Sequence, residues 1–312
     1  MAEYGAPDTS NPSRKTGKIL CIASGKGGVG KTLTSVGIAH CIARATSSKV
    51  LLIDADPSGR TAEFLTEPGA VSKYGWVEFI NGVPTPAGRR DVLLEECLTK
   101  SSLEDNLYII KSTSAEALVY GGSDFSDYAS ERILLFKSFI DDFPDYAFAV
   151  IDLPATITSD HVAYSTIFRT VLVSSFSLPE INAVKRYKDA VEKWCRKHGL
   201  RNMIEGVIAN KVVSGEEAER IGKMIGLPLI GAIPYSRKVE EASERKLPVT
   251  AYAPEDKASI AICEIARKLS GLEAYSYTVR GERGRESSSK FLIPLPAPRK
   301  IFGLLKFWKK GK

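Results

Sequence analysis

The fold class predicted from the sequence is α/β, with a mostly parallel central sheet and helices on both faces. Three observations predict it. Short apolar runs at 19–23, 50–53, 107–110, 146–151, 170–174, 206–209 and 229–233 are spread along the chain, with segments of helical spacing among them. Runs that are apolar throughout, instead of alternating, belong to strands covered on both faces. A glycine-rich turn joins the first run to a helical segment, and two later runs lead into aspartates, at Asp54 and Asp152.

The glycine-rich turn is Ser24-Gly25-Lys26-Gly27-Gly28-Val29-Gly30-Lys31-Thr32, between the apolar run 19–23 and a helix expected over 33–45. Strand, glycine-rich turn and helix are the context that makes G-x-x-x-x-G-K-[ST] a phosphate site. Glycines let successive N–H groups converge on an anion, because no Cβ restricts the backbone. The helix directs its free N–H groups and positive dipole end at the same anion. The ATP-binding set read from the loop is Gly25, Lys26, Gly27, Gly28, Val29, Gly30, Lys31 and Thr32. Lys31 is expected to reach the β- and γ-phosphates, and Thr32 to ligate Mg²⁺.

The second lysine makes the loop specific. Lys26-Gly27-Gly28-Val29-Gly30-Lys31-Thr32 resembles the deviant Walker A motif of the MinD/ParA family of P-loop ATPases. The resemblance covers about residues 17–270 and is loose over 60–145. It implies a P-loop NTPase fold, ATP hydrolysis with Mg²⁺, and an ATP-dependent homodimer in which Lys26 reaches the partner's nucleotide.

The remaining elements follow in order. The run 50–53 leads into Asp54-Ala55-Asp56-Pro57. Carboxylates at the carboxyl end of a strand beside the phosphate loop face the ligand crevice. By resemblance this is switch I, where Asp56 positions the attacking water and Asp54 supports the Mg²⁺ shell or Lys31. The family's continuation is replaced by Ser58-Gly59-Arg60-Thr61, which leaves the role of Arg60 open. A short helix is expected over 76–80, a loop over 82–88 with its two prolines, and a helix over 91–98 with Val92, Leu93 and Leu94 as the candidates to face inward. A strand follows at 107–110, then a small-residue loop from Ser112 and a helix over 128–139.

The strand ending in Asp152 reads as Walker B, with Asp152 binding Mg²⁺ directly or through water. The family's switch II, roughly D-x-P-A-G, stands here as Asp152-Leu153-Pro154-Ala155-Thr156. The missing glycine puts its backbone contact to the γ-phosphate region in question. Pro179 opens a long helix to about His198, with Ile181, Val184, Tyr187 and Val191 facing the sheet. The resemblance assigns base recognition to Asn210 and packing against adenine to the loop from Pro234, including Tyr235. A helix over 255–269 closes the domain.

Composition sets further bounds. The chain has 312 residues, 44% hydrophobic and 26% charged, and no apolar run long enough to span a bilayer. Residues 1–16 are polar and are expected to be a disordered lead-in. Five scattered cysteines without C-x-x-C are expected to be reduced, buried thiols of a cytoplasmic protein.

Charge is uneven. Residues 279–312 hold ten Lys/Arg against two Glu, a balance of +8 within a total of +6, so the body carries −2. Residues 271–298 read as a flexible linker, and 299–312 as a short amphipathic helix. At about 100° per residue, Ile301, Leu304, Leu305 and Trp308 share a face. Phe302 and Phe307 flank it, and Lys306 and Lys310 lie opposite. Aromatic and aliphatic side chains on one face and lysines on the other mark an interfacial membrane anchor. The resembling family carries a membrane-targeting helix in this place.

The resulting expectation is an ATPase switch that binds an anionic membrane surface reversibly and positions a division or organelle structure. It would be cytoplasmic, peripheral on the cytoplasmic face of the cell membrane, and would act with a regulatory or cargo protein. Two alternatives stay open: a ParA-type ATPase that binds DNA non-specifically, and a nucleotide-gated adaptor. The tail could also dock on a protein partner.

Overall fold

The computed structural model describes residues 18–57, 61–67, 72–113 and 127–272. The expected lead-in, linker and tail helix, with Ile301, Phe302, Leu304, Leu305, Phe307 and Trp308, lie outside these residues, as do Arg60 and the loop from Ser114.

An eight-stranded sheet runs in the order β10-β9-β8-β1-β7-β2-β6-β5. Its strands are β1 (Ile19–Ala23), β2 (Lys49–Asp54), β5 (Leu98–Lys100), β6 (Leu107–Ile110), β7 (Tyr146–Asp152), β8 (Arg169–Ser174), β9 (Ile204–Val212) and β10 (Leu229–Pro234). All its pairings are parallel except β5 with β6. Every residue of β1 and β8 is buried, the burial that continuous apolar runs require.

Two apolar clusters explain this burial, one on each face of the sheet. One face is covered by α2 (Trp76–Asn81), α3 (Asp127–Asp142), α4 (Ser159–Ile167), α5 (Leu178–His198) and α6 (Gly215–Ile225). The other is covered by α1 (Lys31–Ala45), α7 (Arg237–Glu244), α8 (Val249–Tyr252) and α9 (Lys257–Ser270). The long helix α5 buries Ile181, Val184, Tyr187 and Val191, the face read from its spacing. Ser177 caps it through the Glu180 N–H, and Gly199 ends it in the left-handed region.

From β1 the sheet grows towards β7, β2, β6 and β5 on one side and towards β8, β9 and β10 on the other. Such a reversal opens a crevice at the carboxyl end of the central strand. The glycine-rich turn leaves β1 at that end.

Local readings fail in three places. The segment 82–88 is not a plain loop: β3 (Val83–Thr85) and β4 (Gly88–Arg90) form an antiparallel hairpin apart from the main sheet. A two-stranded ribbon tolerates Pro84 because it has no further neighbour to bond. The expected helix at 91–98 shrinks to a 3₁₀ turn, Leu94–Cys97, which buries Val92 and Leu94 but leaves Leu93 44% exposed. The helices α4 and α6 and the edge strand β5 have no counterpart in the sequence reading.

The cysteine expectation is corrected for one pair. Cys41 on α1 and Cys263 on α9 form a disulfide, with Cα atoms 5.4 Å apart across 222 residues of sequence. Cys21, Cys97 and Cys195 are free and buried. Only the packing of α1 on α9 brings the two sulfurs together, so no spacing rule could find them. Closing so long a loop restricts the unfolded chain by up to about 5 kcal/mol. Dithiothreitol is expected to lower the Tm by about 5–10 °C, whereas a Cys41→Ala chain should melt alike with and without it. Equal melting of reduced and oxidised wild type would contradict this.

Candidate nucleotide site

The loop at the carboxyl end of β1 is built as the motif requires. Gly28 and Gly30 have φ of 83° and 88°, where a side chain would strain the backbone. A Cβ at Gly25 would run into the Ala183 carbonyl of α5, and one at Gly30 into the Asn210 amide. Gly25, Gly28 and Gly30 therefore each answer a dihedral, a close approach or both. Gly30 also serves as N-cap of α1, whose first turn contains no acidic side chain of its own and whose free N–H groups face the loop.

Asp152 is the centre of the polar network. It ends β7, is fully buried, and stands beside Ile22 of β1 and Asp54 of β2 in register. The Lys31 ammonium lies 2.8 Å from its Oδ1, and the Thr32 hydroxyl donates to its Oδ2 at 2.7 Å. Ser35 donates to Oδ1 at 3.0 Å, and Thr61 to Oδ2 at 3.3 Å. These donors satisfy the lone pairs of a carboxylate that has no access to water. The network joins three of the predicted residues, Lys31, Thr32 and Asp152, and adds two that the sequence reading missed. Ser35 lies one helical turn beyond Lys31, a spacing that could have found it. Thr61 follows Asp54 by seven residues and has no such signal.

Of the two parts expected of Asp54, support of Lys31 is not seen. Lys31 pairs with Asp152, not with Asp54. The Asp54 oxygens accept the backbone N–H groups of Asp56 and Thr61, each at 3.1 Å. Asp54 therefore holds the switch I loop in shape. Burial, followed by the negative charge of Asp152, pushes its pKa up to about 7. Asp56 is half-buried at the start of that loop, and Lys26 is exposed at the tip of the glycine-rich turn.

A pocket beside the loop is lined by Gly30, Leu33, Asn210, Ile233, Pro234 and Tyr235, among others. Asn210, Pro234 and Tyr235 thus line one pocket with Gly30. Asn210 also braces the loop: its Nδ2 donates to the Val29 carbonyl at 2.7 Å, and its Oδ1 accepts the Lys211 N–H at 2.9 Å. An amide has four hydrogen-bonding positions, so a second N–H and a second lone pair remain for a base edge. Lys211 went unnoticed in the sequence. It holds φ of 58° and donates its ammonium to the Gly28 carbonyl at 2.9 Å, strapping the loop from above.

The site suits a polyphosphate and a divalent cation. Two neighbouring buried carboxylates, one with a raised pKa, form an environment that a cation would relieve. Thr32 and Asp152 are the residues that would hold Mg²⁺, with Asp54 supporting from β2.

Comparison with known proteins agrees with this geometry. Residues 20–249 match the family model described as the CobQ/CobB/MinD/ParA nucleotide binding domain. The chloroplastic septum site-determining protein minD homolog of Arabidopsis thaliana is 31% identical over 265 residues, covering 82% of this chain and 75% of that one. The MinD of Pyrococcus horikoshii, solved as a complex with Mg-ADP, superposes with a TM-score of 0.61 at 22% identity, covering 81% of this chain and 95% of that one. The MinC:MinD cell division complex of Aquifex aeolicus superposes with a TM-score of 0.60 at 24% identity, covering 85% and 100%. The phosphate loop, the aspartates ending β2 and β7, and the match over 20–249 give one answer: this chain belongs to the MinD/ParA nucleotide-binding family, as a MinD-like P-loop ATPase.

Proposed function

We propose that this ATPase is a membrane-residence switch. ATP joins two chains face to face, and the paired tails hold the dimer on an anionic membrane surface. Hydrolysis returns single chains to the cytoplasm. The position so controlled would be that of a division or organelle structure, acting through a regulatory or cargo protein.

One observation carries the dimer. Exposed apolar side chains follow the carboxyl ends of strands on both sides of β1: Ile157 after β7, and Leu178, Val213 and Tyr235 after β8, β9 and β10. Val213 is 79% exposed and Leu178 64%. They bracket the phosphate loop, from which Lys26 projects. Large side chains spread along one rim, around a ligand site, support a surface that a second copy covers. A separate likeness supports the regulatory partner: the Aquifex aeolicus MinD it resembles is seen in complex with MinC.

In this reading the Lys31–Asp152 pair is the resting arrangement. An incoming polyphosphate competes for the Lys31 ammonium and frees Asp152 towards the cation. Mg²⁺ would neutralise charge on the phosphate oxygens. Asp56 orients the attacking water, and Lys26 of the second chain adds positive charge where it develops in the transition state.

The tail supplies membrane affinity. Each Lys or Arg near an anionic leaflet contributes about 1 kcal/mol, and the apolar face adds more, less the cost of ordering the segment. One tail then binds weakly, and two bind with avidity. The apolar face of the tail favours membrane over the DNA-binding alternative, because a duplex backbone needs only the charge.

The dimer is tested by light scattering after size exclusion. Asp56→Ala, which slows hydrolysis, is expected to run as a dimer with ATP and a monomer with ADP. Val213→Glu in the same background should remain monomeric. A monomer under ATP in Asp56→Ala itself would refute the face-to-face arrangement.

A further inference from the structure

The switch II sequence lacks the family's glycine and has Thr156 in its place, which raises the question of what fixes this loop. We infer that His161 is a positioning residue for hydrolysis, holding switch II against the phosphate loop through the backbone of Thr156. The inference rests on the ATPase reading of the same site.

The contact is directional. His161 Nδ1 lies 2.9 Å from the Thr156 carbonyl oxygen and 3.2 Å from its hydroxyl. A carbonyl only accepts, so Nδ1 carries the proton and Nε2 is left as the acceptor of the neutral ring. Burial moves the His161 pKa below the ordinary histidine value, which keeps the ring neutral near pH 7.

The His161 backbone is anchored from behind. Thr158 caps α4 by accepting the His161 N–H, and Tyr187 of α5 donates its hydroxyl to the His161 carbonyl at 2.9 Å. Tyr187 is itself fully buried and shares a hydrogen bond with Ser165. The same helix α5 meets the phosphate loop at Gly25, against the Ala183 carbonyl. On the other side of the latch, a Cβ at Gly27 would sit 3.9 Å from the Ala155 Cβ. Switch II therefore lies against the phosphate loop beside Lys26, and His161 ties the next peptide to α4.

Glycine permits a close backbone approach; a threonine with its peptide pinned from behind achieves order by another route. Small errors in such placement cost about ten- to a hundredfold in rate. The loss should fall on kcat, because the triphosphate is bound by the phosphate loop itself.

The test uses the full chain with His161→Ala and His161→Asn. Asparagine keeps an N–H near the Nδ1 position. His161→Ala is expected to lose kcat about tenfold with KM for ATP within threefold, and His161→Asn to recover most of it. A long-range ¹H–¹⁵N spectrum of the nucleotide-free wild type should show His161 as the Nδ1–H tautomer. An unchanged kcat in His161→Ala, no recovery in His161→Asn, or the Nε2–H tautomer overturns the inference. A wild-type chain that hydrolyses no ATP would instead fault the parent reading, and the tautomer would still report the contact.

Discussion

Asp152→Asn is expected to abolish turnover, lowering ATP hydrolysis by about a thousandfold or more. Asparagine fills the same space but removes the charge on which Lys31, Thr32, Ser35 and Thr61 converge. Two losses combine. The residue expected at the cation no longer carries a charge, and the buried Lys31 loses its resting partner. Removing one member of a buried pair costs about 3–5 kcal/mol, so the variant should also melt earlier without nucleotide. ATP offers Lys31 a new partner and is expected to narrow that stability gap. Single-turnover hydrolysis and melting with and without ATP check both halves. Retention of more than a tenth of wild-type turnover would remove Asp152 from the chemistry.

The second large effect concerns the tail. A chain ending at Gly271 is expected to lose binding to anionic vesicles by about a hundredfold or more, while its ATPase rate without lipid stays within twofold. The physical reason is separation of parts. Gly271 caps α9 in the left-handed region, ending the folded body cleanly, and the basic excess lies beyond it. The truncated body carries −1 and has little attraction to an anionic leaflet. Replacing Trp308 and Leu305 by serine in the full chain should weaken binding nearly as much with no change in charge. Undiminished binding of that variant would mean that charge alone holds the tail, and would favour a nucleic-acid partner. No described helix is long and apolar enough to cross a membrane.

Much of the site was legible because its signals are local. The glycine-rich turn announces itself through spacing, and β1, β2 and β7 through unbroken apolar runs that only a doubly covered sheet explains. Asp152 follows from ending one of those runs. What was not legible depends on register and packing. Thr61 reaches Asp152 only because β2 and β7 set Asp54 beside Asp152. Lys211 reaches Gly28 only because its backbone turns left-handed after Asn210. Asn210 was expected at the base; its bond to Val29 adds a bracing role that no motif states. The β3–β4 hairpin was hidden because its prolines read as a breaker, and the Cys41–Cys263 bond because it joins residues 222 apart.

The central claim is that nucleotide state controls membrane residence. Co-sedimentation of the full chain with anionic liposomes, in the Asp56→Ala background, compares ATP with ADP directly. The account predicts that most of the protein sediments with ATP and stays in solution with ADP, and that ending the chain at Gly271 removes the difference. Equal sedimentation under both nucleotides, or none under either, would contradict it.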